Sequence, residues 1–178
     1  MQPQSSAKKY VLTGTAFTGK STLLELLAAR GYPVVPETAR MIIEEEQKKG
    51  SDILPWKDLY KFQQKVVERQ VLLESEVSGE HIFLDRGVLD SYAYSKAGNL
   101  ALPKSFFEGA HLRYHSVFIL ELLPGYQQDE VRKETSEHRE AVHRAIRESY
   151  EEFGYKPVVI PVLSPEDRLE FILKHIAS

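Results

Sequence analysis

The sequence predicts a three-layer α/β fold in which a five-stranded parallel sheet carries helices on both faces. Five short runs rich in β-branched and aromatic residues, near positions 10, 34, 83, 118 and 159, alternate with longer runs of helical periodicity. Strands that alternate with helices need crossover connections, and these give parallel pairing with helices on both faces. The chain has 178 residues and no cysteine, which is sufficient length for one core without disulfides.

The ends and the composition of the chain limit the classes of function. Residues 1–8 are polar and carry no apolar signal segment, so we expect a disordered tail followed by a single domain over residues 9–178. No apolar run approaches the ~18 residues of a membrane span. The net charge of −3, with both signs interspersed, argues against nucleic acid as a partner. The lack of cysteines favours the cytoplasm, and the six histidines show no metal-ligand spacing.

The loop after the first strand, Gly14-Thr15-Ala16-Phe17-Thr18-Gly19-Lys20-Ser21, matches the phosphate-binding pattern G-x-x-x-x-G-K-[ST]. Glycines let the backbone turn tightly around an anion, and successive N–H groups can then point at phosphate oxygens. Lys20 is predicted to reach the β- and γ-phosphates, and the Ser21 hydroxyl is predicted to bind Mg²⁺. With Thr22, these residues form the predicted nucleotide site.

The neighbours of this loop support that interpretation. Tyr10 to Thr13 is a β-prone run, and Ser21 to Arg30 reads as a leucine-rich helix closed by Gly31. The loop therefore leads into a helix N-terminus, where unpaired N–H groups favour negative charge. The alternative, a glycine-rich turn without a ligand, does not account for the matching strand and helix.

A second strand over residues 32–36 contains two prolines, which suit an edge strand. The stretch from Glu37 to Arg40 then opens a helix that runs to about Lys49. A carboxylate and a guanidinium thus follow the carboxyl end of a strand, the edge where ligands bind in open α/β sheets. On this ground, Glu37 and Arg40 are candidates for contact with a ligand.

A long helix begins near Trp56 and carries an apolar stripe. Its other side carries Gln63, Arg69 and Gln70. A solvated helix face is the favoured interpretation of these three side chains, and a substrate-facing role is the alternative.

The stretch from His81 to Gly87 is an apolar strand that ends in Asp85 and Arg86. An acid at this position, opposite a phosphate loop, is typical of a residue that organises magnesium, either directly or through a bound water. Arg86 is a candidate clamp for a phosphate or an acceptor. A structural ion pair is the alternative for Asp85 and Arg86. A helix from about Asp90 to Gly98 and a short helical piece over residues 103–110 follow.

The last third of the chain begins with a buried-type strand over residues 116–121, followed by a polar run. We expect a lid around residues 123–137, with Arg132 as its arginine, although a plain surface loop is the alternative. A charged helix over residues 138–153 is expected to present most of its charges to solvent. A final strand over residues 157–162 precedes a helix capped by Ser164.

Several segments together resemble a known family. GTAFTGKST, PETAR, FLDRG with DSYAY, YQQDEVRKE, GYKPVVIPV and SPEDRLEFIL are similar to the small P-loop AAA-type ATPase-like proteins akin to nicotinamide riboside kinase domains. The similarity spans nearly the whole chain from Lys9. It implies the sheet order 2-3-1-4-5 and a kinase-like lid around Arg132. LDRGVLDSYAY more distantly resembles thymidylate kinases, whose arginine meets an acceptor phosphate, and this implies that role for Arg86. In related deoxynucleoside kinases, a glutamate matching Glu37 is the base.

Three functions remain to be weighed at this point. A kinase that transfers the γ-phosphoryl group of ATP, with Mg²⁺, to a nucleoside- or nucleotide-like acceptor explains the loop, the acid, the base and the lid. An ATP- or GTP-binding switch without a diffusible acceptor is the alternative. A hydrolytic motor is disfavoured because no glutamate adjoins Asp85 to activate water. No Asn-Lys-x-Asp guanine motif occurs, so a conventional GTPase fits poorly.

Overall fold

The computed structural model describes residues 6–125 and 135–178. The strands and α-helices of these residues are, in chain order, β1 (Lys8–Thr13), α1 (Lys20–Ala29), β2 (Val34–Val35), α2 (Thr38–Lys49), α3 (Leu59–Glu76), β3 (His81–Asp85), α4 (Val88–Ala97), β4 (Ser116–Leu120), α5 (Ser136–Glu152), β5 (Val158–Ile160) and α6 (Pro165–Ala177). Strands and helices alternate as the periodicity predicts, with α2 and α3 both inserted between β2 and β3.

All strands of the sheet are parallel, and their order is β2-β3-β1-β4-β5. This confirms the predicted order, and it places the proline-flanked β2 at an edge. In the register, Leu12 of β1 lies opposite Asp85 of β3. The phosphate loop, which begins one residue after β1, therefore starts beside the carboxyl end of β3.

Alternate side chains of the strands enter two separate cores, one on each face of the sheet. Val11, Leu84 and Ile119 pack with α4 and α5. Leu12 and Phe118 pack on the opposite face with α1 and α6. Because both faces are buried, the central residues of β1, β3 and β4 are continuously apolar rather than alternating with polar residues.

Helices α2 and α3 form a small third core outside the sheet. Ile42 of α2 packs against Phe62 and Val66 of α3. Helix α3 begins at Leu59. Asp58 caps it, because its side chain accepts a hydrogen bond from the Lys61 N–H. This pair of helices forms one wall beside the carboxyl ends of β2 and β3.

Two segments differ from the sequence prediction. Strand β1 begins at Lys8, inside the predicted tail, because the Lys8 N–H donates to the Glu80 carbonyl at 2.8 Å. Residues 1–5 of that tail lie outside the described part of the chain. The short helical piece predicted over 103–110 consists of two 3₁₀ turns, Lys104–Phe107 and Ala110–Leu112. None of the described helices is long and apolar enough to cross a lipid bilayer.

Candidate active site

The phosphate loop connects β1 to α1 and depends on its glycines. Gly14 has φ +142° and Gly19 has φ +81°, a region that residues with a Cβ rarely adopt. A Cβ on Gly14 would also meet the Leu120 carbonyl at 3.1 Å. Phe17 takes φ +61°, and its ring is 44% exposed. The glycines are therefore required where the pattern has them.

The carbonyl groups of the loop are held by side chains from three places. Thr18 Oγ1 donates to the Thr15 carbonyl at 3.1 Å. Arg139 of α5 donates to the carbonyls of Ala16 and Phe17 at 3.2 and 3.1 Å. Arg168 of α6 donates to the Thr18 carbonyl. Sequence reasoning missed both arginines, because one lies in a charged helix and the other after a helix cap.

Lys20, the first residue of α1, lies beside the candidate metal-organising acid. Its Nζ is 2.7 Å from Asp85 Oδ1, and the two side chains are only 8% and 12% exposed. Burial raises the pKa of the Asp85 carboxyl, and the charge of Lys20 opposes that rise. The predicted meeting of the phosphate loop with the acid of β3 is thus present in the folded chain.

Arg86 forms the centre of a second charged group. Its Nε lies 3.4 Å from Glu37 Oε1, its Nη1 lies 3.6 Å from Asp90 Oδ1, and it donates to the Tyr94 hydroxyl at 2.9 Å. Burial acts to lower the pKa of Arg86, but Tyr94, Glu37 and Asp90 outweigh it and the pKa is raised. The guanidinium is therefore a permanent cation. Its backbone φ of +71° turns the chain sharply from β3 toward α4.

Asp90 is a buried carboxylate that holds the start of α4. It accepts hydrogen bonds from the Thr13 hydroxyl, from the Gly87 N–H at 3.0 Å and from the Tyr150 hydroxyl at 2.5 Å. A Cβ on Gly87 would meet the Tyr150 hydroxyl oxygen at 2.7 Å, so the tyrosine lies where only glycine leaves room. Burial, followed by the nearby Asp90, raises the pKa of Tyr150 well above its usual range. Tyr150 therefore stays a neutral hydrogen-bond donor.

Two clefts open on this group of charges. The phosphate cleft, about 590 Å³, is lined by the loop from Thr15 to Ser21 together with Glu37, Arg40, Arg86 and Arg139. The apolar cleft, about 250 Å³, lies between α2, α3 and α4. Its walls include Ile43, Leu59, Phe62, Gln63 and Tyr94. Glu37 and Arg86 line both clefts.

The favoured interpretation of Gln63, Arg69 and Gln70 as a solvated face is wrong for the two glutamines. Gln63 and Gln70 are 5% and 3% exposed and line the apolar cleft. Gln70 accepts a hydrogen bond from the Thr38 hydroxyl and donates to Glu74 Oε1 at 2.8 Å. Arg69 instead forms a two-bond ion pair with Glu45 outside the cleft. The packing of α2 and α4 against α3 buries this face.

The remaining predicted site residues lie either at the start of α1 or outside the described part of the chain. Ser21 and Thr22 are exposed at the start of α1, and Ser21 lines the phosphate cleft. Arg132 and residues 126–134 of the predicted lid lie outside the described part of the chain. In residues 6–125 and 135–178, no group of three or more acidic or histidine side chains is arranged to hold a metal.

Comparison with known proteins identifies the fold. A family model described as an AAA domain matches residues 9–168. Deoxyadenosine kinase from M. mycoides with bound dCTP superimposes with a TM-score of 0.65 at 19% identity, covering 95% of this chain and 98% of that one. For thymidylate kinase from Candida albicans, the TM-score is 0.62 at 15% identity, covering 96% and 91%.

NadR, in complex with NAD and AMP-PNP, gives a TM-score of 0.65 at 22% identity. The match covers 97% of this chain and 50% of NadR, so the chain spans about half the length of that protein. A sequence comparison with curated proteins gives no match. These findings confirm the predicted relationship to AAA-type and kinase-like P-loop proteins, and at such identities the structural likeness concerns the fold.

Proposed function

The chain belongs to the AAA domain family, and on that premise we propose that it is a small-molecule kinase. It transfers the γ-phosphoryl group of ATP to a nucleoside- or nucleotide-like acceptor. The observation that carries this proposal is the junction of the two clefts at Glu37 and Arg86. A kinase needs a donor site and an acceptor site that meet where the phosphoryl group moves. A switch needs only the first of these.

The phosphate cleft supplies the donor side of the reaction. The N–H groups of the loop and of the α1 N-terminus bind the β- and γ-phosphates, because both offer unpaired donors to an anion. Lys20 adds a charge that follows the γ-phosphate oxygens into the transition state. Asp85 holds the Lys20 ammonium at 2.7 Å and keeps it at the end of β1 and β3.

The acceptor hydroxyl attacks at the junction. An acceptor oxygen forms a bond to the γ-phosphorus while the bond from that phosphorus to the β–γ bridging oxygen breaks, and ADP leaves. Glu37 orients the hydroxyl and takes its proton. Arg86 is held between Glu37, Asp90 and Tyr94 and stabilises negative charge on the moving group. Arg132, from outside the described residues, is proposed to add a second positive charge.

The donor set near the loop fits magnesium. Hydroxyl and carboxylate oxygens are the protein ligands that Mg²⁺ prefers, and it keeps several waters and phosphate oxygens as further ligands. The Ser21 hydroxyl and the Asp85 carboxylate are the proposed ligands, with Glu37 as the next candidate. The ion neutralises phosphate charge when it is bound.

The apolar cleft supports an acceptor with a flat ring. Phe62 and Leu59 provide apolar surface, and Gln63 provides a buried carboxamide with both a donor and an acceptor. Such a wall suits a heterocycle that carries ring nitrogens and carbonyl groups. A sugar hydroxyl on the same molecule would extend toward Glu37 at the junction.

A panel of acceptors with ATP and Mg²⁺ tests the proposal. The measurement is ADP formation above the rate without acceptor, with the phosphorylated product identified by mass spectrometry. Nucleosides, nucleoside monophosphates and phosphosugars form the panel, and GTP replaces ATP in a parallel series. We expect at least one nucleoside or nucleotide to raise the rate. Nucleotide binding with no acceptor-dependent ADP would replace the kinase with the ATP- or GTP-binding switch.

A further inference from the structure

Two arginines far apart in the sequence donate hydrogen bonds to the carbonyl groups of the phosphate loop. Arg139 and Arg168 are 4% and 3% exposed, and their helices, α5 and α6, lie on opposite faces of the sheet. Arg139 bonds the carbonyls of Ala16 and Phe17, and Arg168 bonds that of Thr18. Three consecutive peptide groups of the loop are therefore fixed by buried guanidinium groups.

The geometry of the peptide group determines what this contact does. In a planar trans peptide, the C=O of one residue and the N–H of the next point in opposite directions. A carbonyl held by an arginine therefore turns the following N–H away from that arginine. The three bonds orient the N–H groups of Phe17, Thr18 and Gly19 in this way. These belong to the stretch whose N–H groups bind phosphate in the proposed function.

Arg168 also ties the loop to the rest of the sheet edge. Its Nε donates to the Pro161 carbonyl at 3.0 Å, and its Nη2 donates to the Glu121 carbonyl at 3.4 Å. One guanidinium thus joins the ends of β4 and β5 to the loop. Gly19 leaves the room for it, because a Cβ there would lie 3.1 Å from Arg168 Nη1.

We propose that Arg139 and Arg168 are positioning residues that set the phosphate loop for anion binding, Arg139 through the amides of Phe17 and Thr18 and Arg168 through that of Gly19. Neither guanidinium needs to touch the nucleotide for this role. The inference rests on the proposed function only in taking the loop to bind phosphate. The planar fork is essential, since a lysine ammonium is a single point and cannot span several carbonyls in one plane.

Arg168→Lys and Arg139→Lys keep the charge and remove the fork. The control is Lys174→Met, an exposed cation on the same helix as Arg168. The probes are ATP and inorganic tripolyphosphate, which has phosphates but no base or sugar, with affinities from calorimetry. We expect each arginine variant to weaken both probes roughly tenfold, in the range of one lost charge-assisted hydrogen bond. The control should bind as the wild type does.

Amide chemical shifts separate positioning from general stability. On addition of tripolyphosphate to the wild type, the amide protons of Phe17, Thr18 and Gly19 should move downfield. Arg168→Lys should reduce the response of Gly19 most, and Arg139→Lys those of Phe17 and Thr18. A lowered melting temperature with unchanged affinity and amide responses in both folded variants would overturn the inference.

The two proposals fail in different ways. A wild type that binds both probes but phosphorylates no acceptor removes the kinase and leaves the positioning role to be judged by the variants. Acceptor phosphorylation with unaltered probe binding in both arginine variants removes the positioning role alone. A wild type that binds neither ATP nor tripolyphosphate overturns both.

Discussion

The phosphate cleft and the apolar cleft meet at Glu37 and Arg86, yet they are built in different ways. The phosphate cleft is built mainly on one continuous loop, whose sequence pattern is tied to positive φ angles at Gly14 and Gly19. The apolar cleft uses side chains from three helices, and no short pattern defines it. A backbone site tolerates few sequences, whereas a side-chain site can be rebuilt for another ligand. In the proposed kinase, the phosphate cleft is the donor half, constrained by the chemistry of phosphate, and the apolar cleft is the acceptor half, constrained by the choice of acceptor.

Lys20→Ala should have the largest effect and would break the donor half alone. We expect turnover to fall by about 10³-fold or more, because a charge that stabilises the moving phosphoryl group is lost. Nucleotide affinity should fall as well, while the acceptor still binds. The measurements are kcat and ATP affinity by calorimetry, with the exposed Lys48→Ala as control.

Lys20→Ala also leaves the buried Asp85 carboxylate without the Lys20 ammonium as its ion-pair partner. The double variant Lys20→Ala with Asp85→Asn removes that unpaired charge and should recover stability but not turnover. Unchanged ATP affinity in a folded Lys20 variant would refute the assignment of the loop to phosphate.

Glu37→Gln tests the junction between the two halves. We expect kcat to fall by roughly 10²- to 10⁴-fold with ATP affinity nearly kept, because the amide cannot accept the proton of the acceptor hydroxyl. The control is Glu44→Gln, an exposed glutamate in α2, the helix that follows Glu37. If kcat with the identified acceptor is unaffected, another group is the base and Glu37 serves only to hold Arg86.

Gln63→Leu sharpens the difference by changing the acceptor half alone. Leucine is similar in size to glutamine but cannot offer the acceptor a hydrogen-bond donor or acceptor, so KM for the identified acceptor should rise roughly tenfold. ATP affinity should stay the same. The matched control is the neighbouring Gln64→Leu. The Gln64 amide donates a hydrogen bond to Glu68 at the surface. Equal effects of both changes would show that Gln63 does not face the acceptor.

The smallest expected effect concerns how the stability of the α2–α3 pair, which forms a wall of the apolar cleft, changes at low pH. Glu46 of α2 accepts a hydrogen bond from Lys65 of α3 at 2.7 Å, which lowers its pKa to about 2. The unfolded chain binds that proton more tightly, so this stabilisation is present above pH ~4.5 and is lost as the pH falls toward ~2. Asp85, in the donor half, has its pKa raised by burial, the opposite direction.

Glu46→Gln should therefore flatten the fall of the melting temperature below pH ~4.5 relative to wild type. Thermal unfolding followed by circular dichroism at several pH values provides the measurement, with Glu44→Gln as control. A wild-type pH profile in the Glu46 variant would mean that the α2–α3 ion pair does not contribute to acid sensitivity.

The same contrast explains what could be predicted from sequence. The phosphate loop, the five strands and their parallel pairing were predictable because each is recorded in contiguous residues or in a period, whereas the strand order came from the family resemblance. The buried polar face of α3 could not be predicted, because Gln63 and Gln70 are buried only by the packing of α2 and α4 against that helix. A single sequence does not show which polar face of a helix a neighbouring helix will cover.

The two arginines that bond the loop carbonyls show a related limit. Arg139 lies in a helix whose charges read as a solvated face, and its burial depends on contact with a loop more than a hundred residues earlier. Arg147 in the same helix does face solvent as expected, and it forms an exposed i,i+4 ion pair with Glu151. Local spacing therefore identifies pairs within one helix, while contacts between distant elements require the fold.

The wall shared by the two clefts has a consequence for ligands. Because Glu37 and Arg86 border both cavities, a single molecule that joins a nucleotide to an acceptor through a chain of phosphates would pass between them. Such a molecule loses its translational and rotational freedom once, where two separate substrates lose it twice. Its affinity should exceed that of either half by far more than the added contacts provide. The length of phosphate chain that binds best would then measure the distance between the two binding sites.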